Sequence, residues 1–511
     1  MVTGIAIRKN QFYDSVFLMG FNNRLSKITG VSQTAVLMGS AANKSVLTKL
    51  GYSNSEIAAA TANDLVVAIS AESSSVVDEI FLHLDEWLSQ VSNGSHSTSE
   101  IHTLDQAFRE KPESNLVVIS VPGEFAASEA RKSLETGKHV FLFSDNVSVE
   151  DEVSLKTLAK EKGLLVMGPD CGTSLIGGVG IGFANAVRKG KIGAIAAAGT
   201  GLQEFTCMIH NLGYGISHAI GTGGRDLSEA VGGLTTLLAL DALEDDPSTH
   251  VIAIISKPPA EKTLINLVDR IKKCSKPVIC CFIGIDHPLN GEGKYFQRAD
   301  TIDEAVALAI KAIGGEVESN LTQKMAETEK RTAQQKRYLR GVFAGGTFCY
   351  QSQQILKNAG IKVYSNGPLD KQLLLPNPEE SIENTIVDMG DEYFMVGRPH
   401  PMINGSQRAL RIIKEAGDPD VGILLLDFLL GYNSSPDPVG ELIESIEKAR
   451  QISTQRGNPI EVVASVCGTD GDFQDIYQQK KMLTESGVKV FSSNAEATEY
   501  CVSWLRQVNH G

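Results

Sequence analysis

The chain has no Cys-X-X-Cys pair, few aromatic residues (6%) and no apolar run long enough to cross a bilayer. Each lack removes a class of protein. Eight cysteines, scattered singly apart from Cys280-Cys281, supply neither a structural zinc site nor a secreted disulfide framework, and they fit a reducing compartment as small apolar residues. With 47 Lys and Arg against 61 Asp and Glu, the net charge of -14 leaves no surplus of cations to follow a phosphate backbone, so no nucleic acid partner is expected. Nor is a membrane partner. The start, Met1-Val2-Thr3-Gly4, runs into a mixed polar strand without a basic n-region or an apolar h-region, which argues against a secretory signal and for the cytoplasm.

What remains is a glycine-rich chain, 48 Gly in 511 residues, with the composition of a turn-rich α/β protein. That length exceeds what one hydrophobic core supports, so three or four domains of roughly 100 to 170 residues are expected. Over residues 1–95, short apolar runs (Gly4-Ile5-Ala6-Ile7, Thr34 to Met38, Leu65 to Ile69) alternate with amphipathic stretches, as in a small α/β module. The polar patch from Ser92 to Ser99 reads as a first linker. From Leu116 the pattern becomes buried strand, glycine-bounded loop, helix, with further runs at Val140-Phe143, Leu164-Met167, Ile192-Ala198, Val251-Ile255 and Pro277-Ile283. Continuous apolar strands of this kind predict parallel sheets covered on both faces and a doubly wound architecture. The charged stretch Glu316–Arg337 reads as an exposed linker. After it, Gly341 to Gly360 parallels Gly193 to Gly213, and Gly417-Asp418-Pro419 parallels Asp245-Asp246-Pro247, which indicates a duplicated domain facing its copy over one site.

In both repeats a buried strand enters a glycine turn and then a helix, at Gly199, Thr200 and Gly201 and at Gly345, Gly346 and Thr347. Such a turn aims unpaired amides and the positive end of a helix dipole at one point, a place for phosphate. The same glycines also suit a plain tight bend. Gly221 to Leu227 is a further turn, carrying Arg225 as a bidentate cation or Asp226 and Ser228 as a helix cap. In Gly397-Arg398-Pro399-His400-Pro401-Met402, two prolines fix the backbone around His400, so Arg398 and His400 are candidates for anion binding and proton transfer, or belong to a structural loop. Cys171 lies just past a strand, where open α/β folds bind ligands, but a nucleophilic cysteine needs a partnering base and the sequence assigns none, so it reads as a small buried residue more readily than as a nucleophile.

At the landmarks Val121-Pro122-Gly123-Glu124-Phe125, Ser144-Asp145-Asn146-Val147, Gly168-Pro169-Asp170-Cys171 and Gly199-Thr200-Gly201, the chain resembles the succinyl-CoA synthetase α subunit. From Gly345 through Asp388-Met389-Gly390, Asp427 to Gly431 and Cys467-Gly468-Thr469 it is similar to the last domain of the β subunit, with no room for a nucleotide-grasping domain between the halves. End to end, including Asp14-Ser15-Val16, Ser256-Lys257-Pro258-Pro259 and Gly397 to Met402, it resembles the FdrA family of acyl-CoA synthetase-like proteins. The resemblance implies a small N-terminal α/β module (1–95), a Rossmann-like CoA-binding-type domain (96–187), a flavodoxin-like ligase domain (188–315), a linker (316–337) and a second flavodoxin-like domain (338–511). It further implies CoA contacts from Pro122, Gly123, Phe125, Ser144, Asp145 and Asn146, with CoA as the one cofactor suggested and no metal.

Two departures from the ligase pattern stand out. The ligase phosphohistidine loop is replaced by Gly291-Glu292-Gly293-Lys294-Tyr295, with His287 nearby in another context, and the acidic segment that supports it is replaced by Ser256-Lys257-Pro258-Pro259. Both argue against a nucleotide-driven ligase cycle. FdrA-type proteins are associated with allantoin and purine nitrogen catabolism, and the resemblance implies a part in carbamoyl transfer from oxalurate, yielding oxamate and carbamoyl phosphate. The expected partners are a small anionic substrate (carbamoyl phosphate, oxamate or an acyl-CoA), further enzyme subunits and copies of the chain itself. The alternatives are an acyl-CoA synthetase with its nucleotide-binding chain separate, and a non-catalytic assembly scaffold.

Overall fold

A computed structural model describes residues 2–11, 13, 15–92, 101, 103–285, 288–317, 337–396 and 398–510. Asp14, His287, Gly397, the core of the polar patch at 93–100 and most of the charged linker (318–336) lie outside the described residues. The chain divides into two compact units, Met1–Glu110 with Glu392–Pro399, and Lys111–Asp391 with His400–Gly511.

The first unit holds a three-stranded antiparallel sheet in which Leu65–Ala71 lies between Val2–Arg8 and Val31–Met38. That central strand is apolar without interruption because both of its faces are covered. Leu65, Val67 and Ile69 pack with Phe21, Leu25 and Leu84, while Val66 and Ala68 pack with Leu47, Tyr52 and Ile57.

The second unit contains three sheets built on parallel strands, as the uninterrupted apolar runs predict. Leu116–Ile119, His139–Leu142 and Val166–Met167 form a small parallel sheet. A seven-stranded sheet follows, ordered Phe296–Arg298, Val278–Phe282, Val251–Ser256, Lys189–Ala196, Ile216–Gly221, Thr173–Ile176, Val179–Gly182. Its first five strands are parallel, and the hairpin at 173–182 joins antiparallel at the edge. Residues 173–182, assigned by the sequence to the Rossmann-like domain, thus extend the sheet of the next one. The third sheet is six-stranded and wholly parallel, ordered Tyr364–Ser365, Thr385–Asp388, Tyr338–Phe343, Val421–Leu429, Glu461–Cys467, Lys489–Phe491.

The two larger sheets are covered by helices, and polar contacts bind them. Asn185 donates to Leu430 O (2.9 Å) and to Asp472 Oδ2 (2.7 Å), Thr469 Oγ1 donates to Ala186 O (2.7 Å), and the Asn494 amide donates to Glu204 Oε1 (2.8 Å). These groups are buried, where an unmade hydrogen bond costs about 1–3 kcal/mol, so they fix one register between the repeats. Among the described residues no helix is long and apolar enough to cross a membrane.

Candidate functional site

The helices Gly199–Asn211 and Gly346–Asn358 each start where a central parallel strand ends, and they start against one another. A Cβ placed on Gly201 would lie 2.8 Å from Thr347 Cγ2, and one placed on Gly345 would lie 3.1 Å from Thr200 Cβ. A methyl at Gly201 would have to displace the Thr347 side chain, and one at Gly345 would crowd Thr200. The structure therefore brings Gly199, Thr200, Gly201, Gly345, Gly346 and Thr347 into one place.

The two turns are not equivalent. In the second, the Asp427 carboxylate accepts the amides of Ala344 (2.9 Å) and Gly345 (2.8 Å), and Arg408 clamps the same carboxylate at 2.6 Å. The Gly345 amide is thereby committed, which corrects the expectation that all three residues of that turn offer their amides to phosphate. Gly346 and Thr347 keep theirs, with no protein acceptor among the described residues. In the first turn no carboxylate intrudes, and the amides of Gly199, Thr200 and Gly201 have no such acceptor either. Burial pushes the Asp427 carboxyl up, against the pull of Arg408 and of the two amides.

Around this pair of turns stand groups that the sequence reading did not select. Asp388, at the end of its strand, lies beside the second turn, since a Cβ on Gly346 would fall 2.7 Å from its Oδ2. Desolvation raises its carboxyl to about 7, opposed by the Gly390 amide and Lys257, so near neutrality it can share a proton with a bound anion. Lys257 follows the strand Val251–Ser256, and its ammonium rests 3.8 Å from the centre of the Tyr350 ring. Asp170 holds a left-handed backbone (φ 53), and burial with the neighbouring Asp145 raises its carboxyl to about 6. All three sit at C-terminal ends of parallel strands or just past them, where open α/β sheets bind ligands, and that rule was the signal available in the sequence.

His400 is in this group. Its ring packs on Phe183 (5.7 Å between centres), which in turn packs on Phe143, and a Cβ on Gly390 would lie 2.9 Å from its Nε2. The Met402 amide donates to Nδ1 (3.2 Å), which assigns the ring proton to Nε2. Desolvation, helped by Arg408, pushes its pKa down to about 4, so the ring is neutral at physiological pH. Arg398 is exposed and falls in the segment that groups with the first unit, so Arg398 and His400, two positions apart in one motif, belong to different bodies.

In the small parallel sheet the loops carrying Pro122, Gly123 and Phe125 and Ser144, Asp145 and Asn146 touch. A Cβ on Gly123 would fall 2.3 Å from Asp145 O, Ser144 Oγ donates to Val121 O (2.5 Å), and Asn146 takes a left-handed backbone (φ 53) to complete the turn. Phe125 is left 55% exposed at the rim, a platform for a flat ligand. Arg225 is spent on that architecture, donating to Glu152 Oε2 (3.0 Å) and to Val147 O (2.7 Å), which corrects its reading as an anion clamp. Asp226 beside it is the cap, accepting from the amides of Thr235 (3.1 Å) and Thr236 (2.9 Å). Cys171 is buried with its thiol pushed up to about 12 by desolvation, so it carries no thiolate and serves as a small packed residue.

Fold and site together define a CoA-ligase-type protein. A CoA-ligase family model matches residues 342–502, and a CoA binding domain model matches 187–284, one domain later than the crevice at 122–146. The uncharacterised protein YahF of Escherichia coli (strain K12) is 42% identical over 501 residues, 97% of each chain. The chain belongs to the family that includes YahF, the FdrA-like family. The α subunit of an ADP-forming succinate-CoA ligase from Methanothermobacter thermautotrophicus is 28% identical over 210 residues, 40% of this chain and 68% of that one. The structure of a dinucleotide-forming acetyl-coenzyme A synthetase from Ca. Korarchaeum cryptofilum aligns over 78% of this chain and 83% of that one, at 16% identity and a TM-score of 0.33.

A third family model, described as AllF, heavy metal-associated domain, matches residues 1–103. The residues there do not fit the metal that this description suggests. The span contains no cysteine, and its described histidine, His83, is on an exposed helix with Nδ1 3.2 Å from Glu86. Among the described residues, no three His, Cys, Asp or Glu side chains are grouped to hold an ion.

Proposed function

We propose that this chain is the acyl- or carbamoyl-handling subunit of a transferase, and that it binds the phosphate of carbamoyl phosphate where its two repeated helices meet. The observation that carries this reading is the contact of two helix N-termini, Thr200 against Gly345 and Gly201 against Thr347. Five amides there, those of Gly199, Thr200, Gly201, Gly346 and Thr347, have no protein acceptor among the described residues, and both helix dipoles favour negative charge. The AllF family match at residues 1–103 supports a place in allantoin nitrogen catabolism.

In this reading a phosphate oxygen attacks the carbamoyl carbon of oxalurate. The bond from that carbon to the oxamate nitrogen breaks with its electron pair on nitrogen, which then takes a proton, giving oxamate and carbamoyl phosphate. That proton comes from the attacking hydrogen phosphate, and the neutral His400 ring, whose Nε2–H lies near Gly390 beside the second turn, donates a hydrogen bond to the negative charge that develops as the bond breaks. Titration calorimetry of the full chain tests the site. Inorganic phosphate and carbamoyl phosphate are expected to bind and to compete with each other, and no heat from either at millimolar concentration overturns the reading. Binding of CoA and ATP with none of phosphate would instead favour an acyl-CoA synthetase, the activity suggested by the CoA-ligase match.

A further inference from the structure

Lys257 is the residue whose placement the fold explains least. It is exposed, and its ammonium makes no hydrogen bond or ion pair with any described residue. Its position is nevertheless determined. The strand Val251–Ser256 pairs in parallel with Lys189–Ala196, and the Ala197 amide donates to Ile255 O at 3.2 Å, so the chain leaves the sheet at Ser256 directly beside the first glycine turn. This is also where the winding reverses, since the chain goes from Lys189–Ala196 to Ile216–Gly221 on one side and then returns to Val251–Ser256 on the other. Crevices at such switch points are where doubly wound sheets take ligands. Pro258 and Pro259 fix the backbone immediately after Lys257, and Ser256 Oγ donates to Lys257 O at 2.5 Å. The ammonium sits on the face of Tyr350, a residue of the helix that begins at the second turn. It is also near enough to Asp388 and Asp170 to hold down both carboxyl groups. A cation whose chain leaves the sheet beside the first turn, resting on an aromatic ring of the helix that begins at the second and left without a hydrogen-bond acceptor, is poised for an anion from solution.

The comparison between repeats points the same way. The helices start at Gly199 and Gly346, so Ala196 and Phe343 match; with Ile255 paired to Ala196 and Leu426 to Val342, the place of Asp427 is taken in the first repeat by Ile255. In the second repeat that place supplies a carboxylate that closes two amides. In the first it supplies an isoleucine whose backbone oxygen accepts the Ala197 amide (3.2 Å), which leaves the turn amides open, and Lys257 two positions on adds positive charge.

We propose that Lys257 is a specificity-determining residue of the site, its ammonium binding the substrate's phosphate group at the first glycine turn. The assignment rests on the reading of the paired helix termini as a phosphate site and names the side chain that makes the first turn the binding half. The test uses the full chain, with inorganic phosphate and oxamate as separate calorimetric probes. Because Lys257 is exposed, Lys257→Gln is expected to fold with an unchanged melting temperature. Its affinity for phosphate is expected to fall by about tenfold to a hundredfold, the worth of one charge-assisted hydrogen bond, with oxamate binding unaltered. Lys257→Arg should retain most of the phosphate affinity. Unaltered phosphate affinity in Lys257→Gln overturns the assignment while leaving the phosphate site intact, and so does a loss confined to oxamate. Absence of phosphate binding by the wild-type chain overturns both.

Discussion

Lys156 shows how a single side chain decides whether the domain arrangement holds. It is fully buried, and its ammonium donates to Glu152 Oε1 (2.8 Å), Asp226 Oδ1 (2.8 Å) and Thr222 O (2.9 Å). Glu152 lies on the helix Val149–Lys162 and Asp226 in the glycine turn 221–226, so one cation ties the small parallel sheet to the seven-stranded one. Removing it leaves the buried Asp226 carboxylate without a countercharge and Glu152 paired with Arg225 alone. Lys156→Ala is expected to cost about 3–5 kcal/mol, against well under 1 kcal/mol for an exposed pair such as Lys481–Glu485, and denaturant unfolding of the two variants measures the difference. His400 combines packing with chemistry. His400→Ala removes a ring packed on Phe183 and the acceptor of the Met402 amide, so it is expected to cost about 1–3 kcal/mol in denaturant unfolding, and, assayed below its unfolding midpoint with whatever partner subunits the reaction needs, to lower turnover by about a hundredfold. Unchanged turnover returns His400 to a packing role against Phe183. Neither Lys156 nor Asp388 was legible in the sequence. A lysine on a charged helix reads as solvated, and only the approach of a turn some seventy positions later, with |i−j| of 70 to Asp226, turns it into a core residue.

At the scale of elements, the two strand-turn-helix repeats were legible because both devices leave local marks. A buried parallel strand is an unbroken apolar run, and a turn into a helix needs glycine. What could not be read was the asymmetry between the turns, which depends on which residue the neighbouring strand presents. Asp427 is 83 positions from the amide of Ala344 that it caps, and no local pattern encodes that pairing. The geometry makes Gly201 the most sensitive position of the paired helices. A methyl there would press on Thr347 at 2.8 Å, tighter than a packed interior accepts. Gly201→Ala is therefore expected to cost about 1–3 kcal/mol and to weaken phosphate binding, whereas Gly201→Ala combined with Thr347→Ser, which removes the opposing methyl, recovers much of the stability. Thermal unfolding of the single and double variants reads this as a coupling. Strictly additive losses would show that the two helix ends do not touch in solution.

At the scale of the whole molecule, the sequence disclosed the class of fold and the duplication, and missed where one domain yields to the next. The hairpin 173–182 pairs with Ile216–Gly221 through Ala219 and Leu175, an antiparallel edge contact that apolar periodicity does not reveal. This sharing of strands bears on where CoA would bind. The touching loops at Gly123 and Asp145 form a crevice with Phe125 exposed at its rim, whereas the CoA binding domain model covers residues 187–284. The two locations predict different outcomes. A ligand that binds only the native state stabilises it by about 2.7 kcal/mol at a hundredfold excess over Kd, enough to raise a melting temperature measurably. CoA at millimolar concentration is expected to protect the full chain. Phe125→Ala removes an exposed ring and no core contact, so it should leave the unliganded melting temperature unaltered and abolish most of that protection if the crevice at 122–146 is the CoA site. Full protection in Phe125→Ala would move the site to the larger domain, beside the glycine turns. No protection of the wild-type chain would separate this protein from CoA and leave the proposed phosphate site at the paired helix ends to be tested by itself.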